Sequence, residues 1–245
     1  MRLIRAKNYD DMSLKAANII AAQVSLNPKS VLGLATGSTP IGTYRHLVEW
    51  YQKGELDFGK AVSINLDEYC GLSGEHPQSY RRFMRENLFD HINIPADRSF
   101  LPDGTQTDSA LECARYDRII KEHNGIDLQL LGIGRNAHIG FNEPDSCFAC
   151  GTHQVTLTES TIAANTRFFE NETQVPRQAY SMGMQAIMQA KRVLLIASGA
   201  DKAEAIRNSF FGPVTPQVPA SILQLHRDVI VIADEAALAD CPAEA

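Results

Sequence analysis

The sequence reads V-L-L-I-A at residues 193–197 and V-I-V-I-A at residues 229–233. Both runs are apolar at every position, which is typical of strands that are covered on both faces of a sheet. A strand with one face in water would alternate apolar and polar residues instead. The two runs therefore indicate a parallel sheet enclosed between layers of helices.

The rest of the chain alternates in the same way between strands and amphipathic helices. Further strands are predicted at residues 31–35, 61–66 and 126–133, and helices at 9–24, 40–52, 78–91, 108–123, 181–190 and 202–210. This alternation favours βαβ units. Because neither an internal repeat nor a convincing linker interrupts it, we predict a single doubly wound (Rossmann-like) α/β domain over residues 1–245, with a mainly parallel sheet flanked by helices.

The composition narrows the class of function. The 245 residues carry a formal net charge of −6 and no cluster of cations, which argues against nucleic-acid and membrane-surface binding. No apolar run approaches the length needed to cross a bilayer. Five cysteines and no signal-peptide pattern predict reduced thiols in the cytoplasm. We therefore expect a small-molecule partner, and the sequence leaves open whether copies form a homo-oligomer.

Ligands of such sheets bind outside the carboxyl ends of the strands, so the residues that follow each strand are the candidates for function. The strand at 31–35 is followed by T-G-S-T-P. Gly37 permits a tight turn, Ser38 or Thr39 is a natural N-cap, and Pro40 opens the next helix. The pattern predicts an anion site at a helix N-terminus, the alternative being an ordinary capped turn.

Two adjacent carboxylates, Asp67 and Glu68, follow the strand at 61–66. Carboxylates at the mouth of an apolar strand are candidates for acid–base chemistry. Since neighbours on a strand point in opposite directions, we expect only one of them to face the ligand. The alternative is a solvated strand end.

The strand at 126–133 leads into G-I-G-R-N-A-H-I-G-F-N-E-P at residues 132–144. Its first six positions match a dinucleotide-binding pattern, which requires that a helix begin there. Gly140 and Pro144 oppose a helix, because Pro restricts the preceding Glu143 to extended conformations. We therefore predict a rigid loop that carries His138 and Glu143 at the strand exit.

Three further features remain open to two interpretations each. Cys147 and Cys150 have the spacing of redox and zinc sites, but no second pair follows, so we interpret them as packing residues and predict no metal site. Arg167 and Lys202 could each complete an anion site. Each could equally be a surface charge.

Taken together, these segments resemble the glucosamine-6-phosphate deaminase (isomerase) family over nearly the whole chain. The matching stretches are L-G-L-A-T-G-S-T-P (32–40), L-D-E-Y-C-G-L (66–72), H-P-Q-S-Y (76–80), the loop at 132–144, A-N-T-R-F-F (164–169), S-G-A-D-K-A (198–203) and P-A-S-I-L-Q-L-H (219–226). The combination of D-E-Y-x-G-L with F-N-E-P is specific to that family. The resemblance implies conversion of glucosamine 6-phosphate to fructose 6-phosphate and ammonia, without a metal or a nucleotide cofactor.

The resemblance also implies a role for each matching residue. Asp67 is the expected base that moves a proton from C2 to C1, and His138, oriented by Glu143, is expected to assist ring opening. The expected phosphate ligands are Thr36, Gly37, Ser38, Thr39, Arg167 and Lys202. A carboxylate and an imidazole suit these steps, because both exchange protons near neutral pH when their surroundings are tuned.

This chain departs from well-known members of the family in two places. Asn136 stands where they carry Asp, so it can accept a hydrogen bond from His138 but supplies no charge, and we predict a less basic imidazole. His153 and Val155 stand where allosterically activated members carry basic residues. We therefore predict that activation by N-acetylglucosamine 6-phosphate is weak or absent.

Two other functions are compatible with the same fold class. A 6-phosphogluconolactonase shares a related G-x-G-x-x-x-H loop but lacks the F-N-E-P that follows it, so Glu143 discriminates against this alternative. A non-catalytic sugar-phosphate sensor should lack Asp67 or His138 and usually carries a DNA-binding segment. The chain retains both residues.

Overall fold

A computed structural model of the chain describes residues 1–166 and 169–242. The strands are β1 (Arg2–Ala6), β2 (Val31–Leu34), β3 (Val62–Asn65), β4 (Asp67–Tyr69), β5 (Ser99–Phe100), β6 (Leu128–Leu131), β7 (His153–Thr156), β8 (Gln178–Ser181), β9 (Arg192–Ala197) and β10 (Val229–Asp234). The helices are α1 (Tyr9–Leu26), α2 (Ile41–Gln52), α3 (Tyr80–Asn87), α4 (Ser109–Glu122), α5 (Glu159–Asn165), α6 (Met184–Gln189) and α7 (Ala203–Phe211).

The central sheet has seven strands in the order β1-β10-β9-β6-β2-β3-β5. Every pairing in it is parallel. β10 is buried along its whole length and β9 along all but its first residue, as the apolar runs predict. The predicted α/β class with a mainly parallel sheet flanked by helices is confirmed.

Local sequence explains where the helices begin. α1 starts after Asn8, whose side chain accepts a hydrogen bond from the backbone N–H of Asp11, and α4 starts after Asp108, which caps Leu111 in the same way. These side chains satisfy N–H groups that have no partner inside the helix. The helices predicted at 9–24 and 108–123 therefore lie within about two residues of the observed ones, the usual uncertainty of helix ends.

A second, three-stranded antiparallel sheet in the order β4-β8-β7 is not foreseen by the sequence analysis. The helix predicted at 181–190 is wrong at its start, because Ser181 ends β8 and α6 begins only at Met184. The strands of this sheet have three or four residues. Such short strands give no clear period in a sequence, and their pairing partners lie far away along the chain.

The two ends of the described chain meet in the central sheet, where β1 pairs with β10 in parallel. This pairing supports the prediction of one domain over residues 1–245, which stays a prediction. Within the described residues, no helix combines the length and the apolar character that a membrane span requires.

Candidate active site

A cleft of about 1170 Å³ opens at the carboxyl ends of the central strands. It lies where β9, β6 and β2 are neighbours in the sheet, so the loops that follow these strands share its rim. Most of the predicted site residues line it: Thr36, Gly37, Ser38, Thr39, Asp67, Asn136, His138 and Lys202. Glu143 lies behind His138, and Arg167 lies outside the described residues.

The predicted anion loop at residues 36–39 is held in place by two tyrosines that the sequence analysis did not single out. The hydroxyl of Tyr44 in α2 donates to the carbonyl of Ala35 (2.5 Å) and accepts from its N–H (3.3 Å). The hydroxyl of Tyr9 donates to the carbonyl of Ser38 (3.1 Å). These contacts come from helices on either side of the loop, so its backbone is fixed before any ligand arrives.

The helix cap predicted for this loop is wrong. Pro40, rather than Ser38 or Thr39, occupies the N-cap position of α2, and it makes no side-chain cap. The Tyr9 hydroxyl takes over part of this task by accepting from the N–H of Gly42 (2.8 Å). Because a tyrosine from α1 supplies the cap, the Ser38 and Thr39 side chains are not needed for it. Gly37, at φ 93°, adopts the left-handed conformation expected of a glycine turn.

Replacing Tyr44 with Phe is expected to lower the free energy of unfolding by about 1–2 kcal/mol, because the N–H and carbonyl of Ala35 would lose a buried partner. Urea unfolding measures this change. Tyr180→Phe is the control, since the buried Tyr180 hydroxyl also donates to a backbone carbonyl, that of Gln106 (2.8 Å), but does not support the loop. A loss for Tyr44→Phe no greater than that of the control would contradict the proposed support of the loop.

Asp67 and Glu68 point in opposite directions, as their adjacent positions on a strand predict. Asp67 lines the cleft and is only 6% exposed. Burial, together with the charge of Glu68, raises the pKa of Asp67 to about 8. A carboxylate in these surroundings is a stronger base than an exposed one and can remove a proton at moderately alkaline pH.

Glu68 points away from the cleft and holds the start of α3. Its carboxylate accepts from the backbone N–H groups of Tyr80 (2.8 Å), Arg81 (2.9 Å) and Tyr69 (2.9 Å). Burial raises the pKa of Glu68 to about 7, although these hydrogen bonds favour its ionised form. Glu68 thus ties the strand of Asp67 to a helix N-terminus.

The loop at 132–144 contains no helix, so the prediction that no helix begins at this motif is confirmed. The N–H of Gly134 donates to the carbonyl of His138 (2.9 Å), which closes the loop on itself. A Cβ at Gly134 would lie 2.3 Å from the imidazole ring, so only glycine fits beneath it. Gly134 therefore allows the imidazole of His138 to pack directly against the backbone of the loop.

Glu143 is buried behind the imidazole and joins three neighbours. It lies 3.5 Å from His138 Nδ1 (to Oε2), accepts from Asn136 Nδ2 (2.6 Å), and accepts from the hydroxyl of Thr161 in α5 (2.5 Å). Burial raises the pKa of Glu143, but these three contacts together lower it below its ordinary value. An ionised Glu143 at Nδ1 leaves His138 Nε2 for chemistry in the cleft.

Asn136 makes contacts other than those expected of it. Its carbonyl oxygen accepts from the backbone N–H of His138 (3.3 Å), and its amide donates to Glu143, so it does not accept from the imidazole. The side chain therefore acts on His138 through Glu143 and through the backbone of the loop. The prediction of a less basic imidazole stays a prediction.

Lys202 reaches the cleft from a turn that a buried carboxylate organises. Asp234, at the end of β10, accepts from the Ser198 hydroxyl (2.5 Å) and from the N–H of Gly199 (3.1 Å). Lys202 follows in the next turn, with its side chain in the cleft. The sequence analysis did not single out Asp234, although Asp234 and Glu235 follow the apolar run at 229–233 as Asp67 and Glu68 follow the run at 61–66.

Aromatic side chains form the wall of the cleft beside Asp67. Tyr80 and Phe141 stack with their ring centroids 6.0 Å apart, and Tyr69 contacts both rings. Phe169 packs edge-on against Tyr69. An apolar wall of this kind excludes water from the carboxylate, which accounts for the desolvation that raises its pKa.

Comparison with known proteins identifies the family of the chain. The sequence profile of the family described as glucosamine-6-phosphate isomerases/6-phosphogluconolactonase matches residues 6–232. The chain belongs to this family. It is 61% identical to a glucosamine-6-phosphate deaminase of Lachnoclostridium phytofermentans, over 95% of this chain and 98% of the relative.

Solved structures of deaminases and of 6-phosphogluconolactonases differ in how similar they are to this chain. A structure described as a monomeric glucosamine-6-phosphate deaminase is 44% identical, with a TM-score of 0.96, and the match covers 98% of this chain and all of the other. A 6-phosphogluconolactonase from Leishmania guyanensis is 21% identical, with a TM-score of 0.77 and coverage of 99% of both chains. The second likeness shows the shared fold alone, so the family members most similar to this chain among these are deaminases.

Cys147 and Cys150 do not behave as predicted. Both are exposed free cysteines rather than packing residues, and Cys150 Sγ contacts Gln185 Oε1 (3.2 Å). The lack of a second cysteine pair excluded a closed zinc site but carried no information on burial, and the segment that carries the two cysteines lies on the surface. Among the described residues, no cluster of three or more His, Cys, Asp or Glu side chains has a metal-binding arrangement.

Proposed function

We propose that the protein converts glucosamine 6-phosphate and water to fructose 6-phosphate and ammonia. One arrangement carries the proposal: a buried carboxylate and a Glu-supported imidazole face the same cleft as a preformed anion loop and a lysine. The names of the similar deaminases support the substrate.

In the proposed mechanism the two proton-transfer groups act one after the other. His138 takes the proton of the C1 hydroxyl and delivers a proton to the ring oxygen, which opens the ring. Asp67 then removes the C2 proton and returns it to C1. The C1 carbonyl becomes a hydroxymethyl group, whose oxygen takes up the proton that the amine at C2 loses as it becomes an imine. Water then hydrolyses the imine and releases ammonia. Both groups act at one end of the sugar, while the phosphate is held at the other.

Phosphate binding in this proposal combines a rigid loop with cations. Residues 36–39 offer backbone N–H groups close to the start of α2, and Lys202 supplies a positive charge. Arg167 is proposed as a second cation on the strength of the sequence resemblance. Together they supply binding energy remote from the reacting carbons, which keeps C2 in register with Asp67.

Purified protein mixed with glucosamine 6-phosphate tests the function directly. We expect equal amounts of ammonia and fructose 6-phosphate, measured by coupled assays. A parallel sample with 6-phosphogluconolactone tests the alternative hydrolase, which the Glu143 contact to His138 disfavours. Ammonia no higher than in a protein-free sample would refute the proposal.

The rate of the enzyme is expected to follow a hyperbola in substrate concentration, with or without N-acetylglucosamine 6-phosphate. His153 and Val155, at the start and middle of β7, put no lysine or arginine where activated relatives are expected to bind this effector. The similar structure described as monomeric supports the same expectation. A sigmoidal curve that the effector makes hyperbolic would overturn it.

We also propose a reducing compartment such as the cytoplasm. All five cysteines are free thiols, which fits a protein kept in reducing surroundings.

A further inference from the structure

The loop that carries His138 also carries an arginine to which no role has been given. Arg135 lies in the cleft together with Asp201 and Lys202. We propose that Arg135 is a further binding residue for the substrate's phosphate, and that Asp201 holds it in place until the phosphate arrives. This inference rests on the proposed function, because it concerns the phosphate end of the same site.

The order of the strands puts Arg135 in the middle of the phosphate site. β6 lies between β2 and β9 in the sheet. The loop after β2 provides residues 36–39, the turn after β9 provides Lys202, and Arg135 comes four residues after the end of β6. An anion that contacts both residues 36–39 and Lys202 therefore lies next to the loop that carries Arg135.

The contacts show how Arg135 is held. Its Nε donates to Asp201 Oδ2 at 2.9 Å, and Lys202 Nζ lies 3.8 Å from the same oxygen. One carboxylate oxygen of Asp201 thus lies between two cations. A phosphate oxygen would take the same position. In the part of the chain that the structure describes, the Nη atoms of Arg135 make no hydrogen bond, so they are available to a ligand.

The charge of Asp201 makes it a competitor of the phosphate. Burial raises its pKa, but the hydrogen bond from Arg135 and the charge of Lys202 lower it below the ordinary value, so the group is ionised at neutral pH. The Arg135 side chain is 69% exposed and that of Asp201 43%, and ion pairs this exposed contribute little to stability. A phosphate dianion that offers several oxygens to a guanidinium can displace such a partner.

Two substitutions distinguish a ligand from a structural ion pair, because they act in opposite directions only in the first case. Arg135→Gln should weaken the binding of inorganic phosphate roughly tenfold, through the loss of a charged donor. Asp201→Asn should strengthen it roughly threefold or more, because it removes a competing negative charge beside Arg135 and Lys202. Isothermal titration calorimetry with inorganic phosphate at low ionic strength measures both.

The chain provides a matched control pair. Arg192 Nε donates to Asp228 Oδ2 at 2.8 Å, and both side chains are 41% exposed. Arg192 is the first residue of β9, whereas the cleft lies at the carboxyl ends of the strands. This pair therefore lies at the amino ends of the strands, away from the cleft. Arg192→Gln and Asp228→Asn should both leave phosphate binding unchanged.

The outcomes separate cleanly. Opposite shifts for Arg135→Gln and Asp201→Asn support the proposal, and 0.5 M NaCl should shrink both shifts. Equal weakening by the two variants would mean that the pair only ties two loops together, and an unchanged affinity in Arg135→Gln would mean that Arg135 does not touch the anion; either overturns it. Because binding is measured without turnover, an absence of ammonia formation would refute the proposed reaction and leave this result standing.

Discussion

The Asp67→Asn variant is expected to turn over glucosamine 6-phosphate roughly 10³- to 10⁴-fold more slowly than the native protein. The amide has nearly the shape of the carboxylate but cannot take the C2 proton. The phosphate loop and Lys202 are supplied by other strands, so they are unaffected. The loss should therefore fall on kcat, while fructose 6-phosphate binds with nearly native affinity in calorimetry.

Stability provides an independent control for the Asp67→Asn variant. The pKa of Asp67 is about 8 in the folded protein and is expected near its ordinary value of 3.8 in the unfolded chain. Between these values the folded state holds a proton that the unfolded state has lost, so this group lowers the free energy of unfolding as pH rises through that window. The variant lacks this penalty. Its melting temperature should exceed that of the native protein at pH 8, and the difference should vanish near pH 4.

The pH dependence of the native protein completes the test. The base must be ionised, so kcat/KM should rise as the pH increases through about 8, the pKa of Asp67 in the free protein. If Asp67→Asn keeps more than about a tenth of the native kcat, Asp67 is not the base. A variant that fails to bind fructose 6-phosphate would instead assign Asp67 a role in binding.

Most strands of the central sheet follow from local sequence, whereas its two edge strands, β1 and β5, and the second sheet do not. Strands such as β9 and β10 are buried on both faces, so their apolar runs reveal them without knowledge of their neighbours. β4 and β8 are short and exist because they pair with each other, Asp67 opposite Ser181. That pairing joins residues more than a hundred positions apart, and no local pattern encodes it.

The candidate site divides in a similar way. Asp67 and His138 follow strands and stand in turn-forming segments, so position and residue type single them out. Tyr44 and Asp234 act through hydrogen bonds to backbone groups of other elements. A tyrosine in an amphipathic helix has the same appearance in a sequence whether its hydroxyl is buried on a loop or exposed to solvent. Its role becomes visible only when the fold places it.

The His138→Gln variant is expected to lose roughly 10²- to 10⁴-fold in kcat, the usual contribution of a positioned proton-transfer group. Ring opening needs one group that accepts a proton from the C1 hydroxyl and donates one to the ring oxygen. Glu143 cannot replace it, since it lies behind the imidazole and is occupied by Asn136 and Thr161. Steady-state kinetics with glucosamine 6-phosphate measures the loss.

A substrate that cannot form the six-membered ring decides whether this loss belongs to ring opening. The analogue of glucosamine 6-phosphate without the C5 hydroxyl has no oxygen with which to close that ring, so it should not need the step assigned to His138. We expect His138→Gln to retain most of the native rate on this analogue, whereas Asp67→Asn should be as slow on it as on the natural substrate. Equal losses for His138→Gln on both substrates would place the imidazole in the later proton transfer or in imine hydrolysis. Because the Glu143 carboxylate lies beside Nδ1 of the ring, its substitution by Gln should reproduce the substrate dependence of His138→Gln with a smaller loss, roughly 10- to 100-fold, as expected for a group that acts through another.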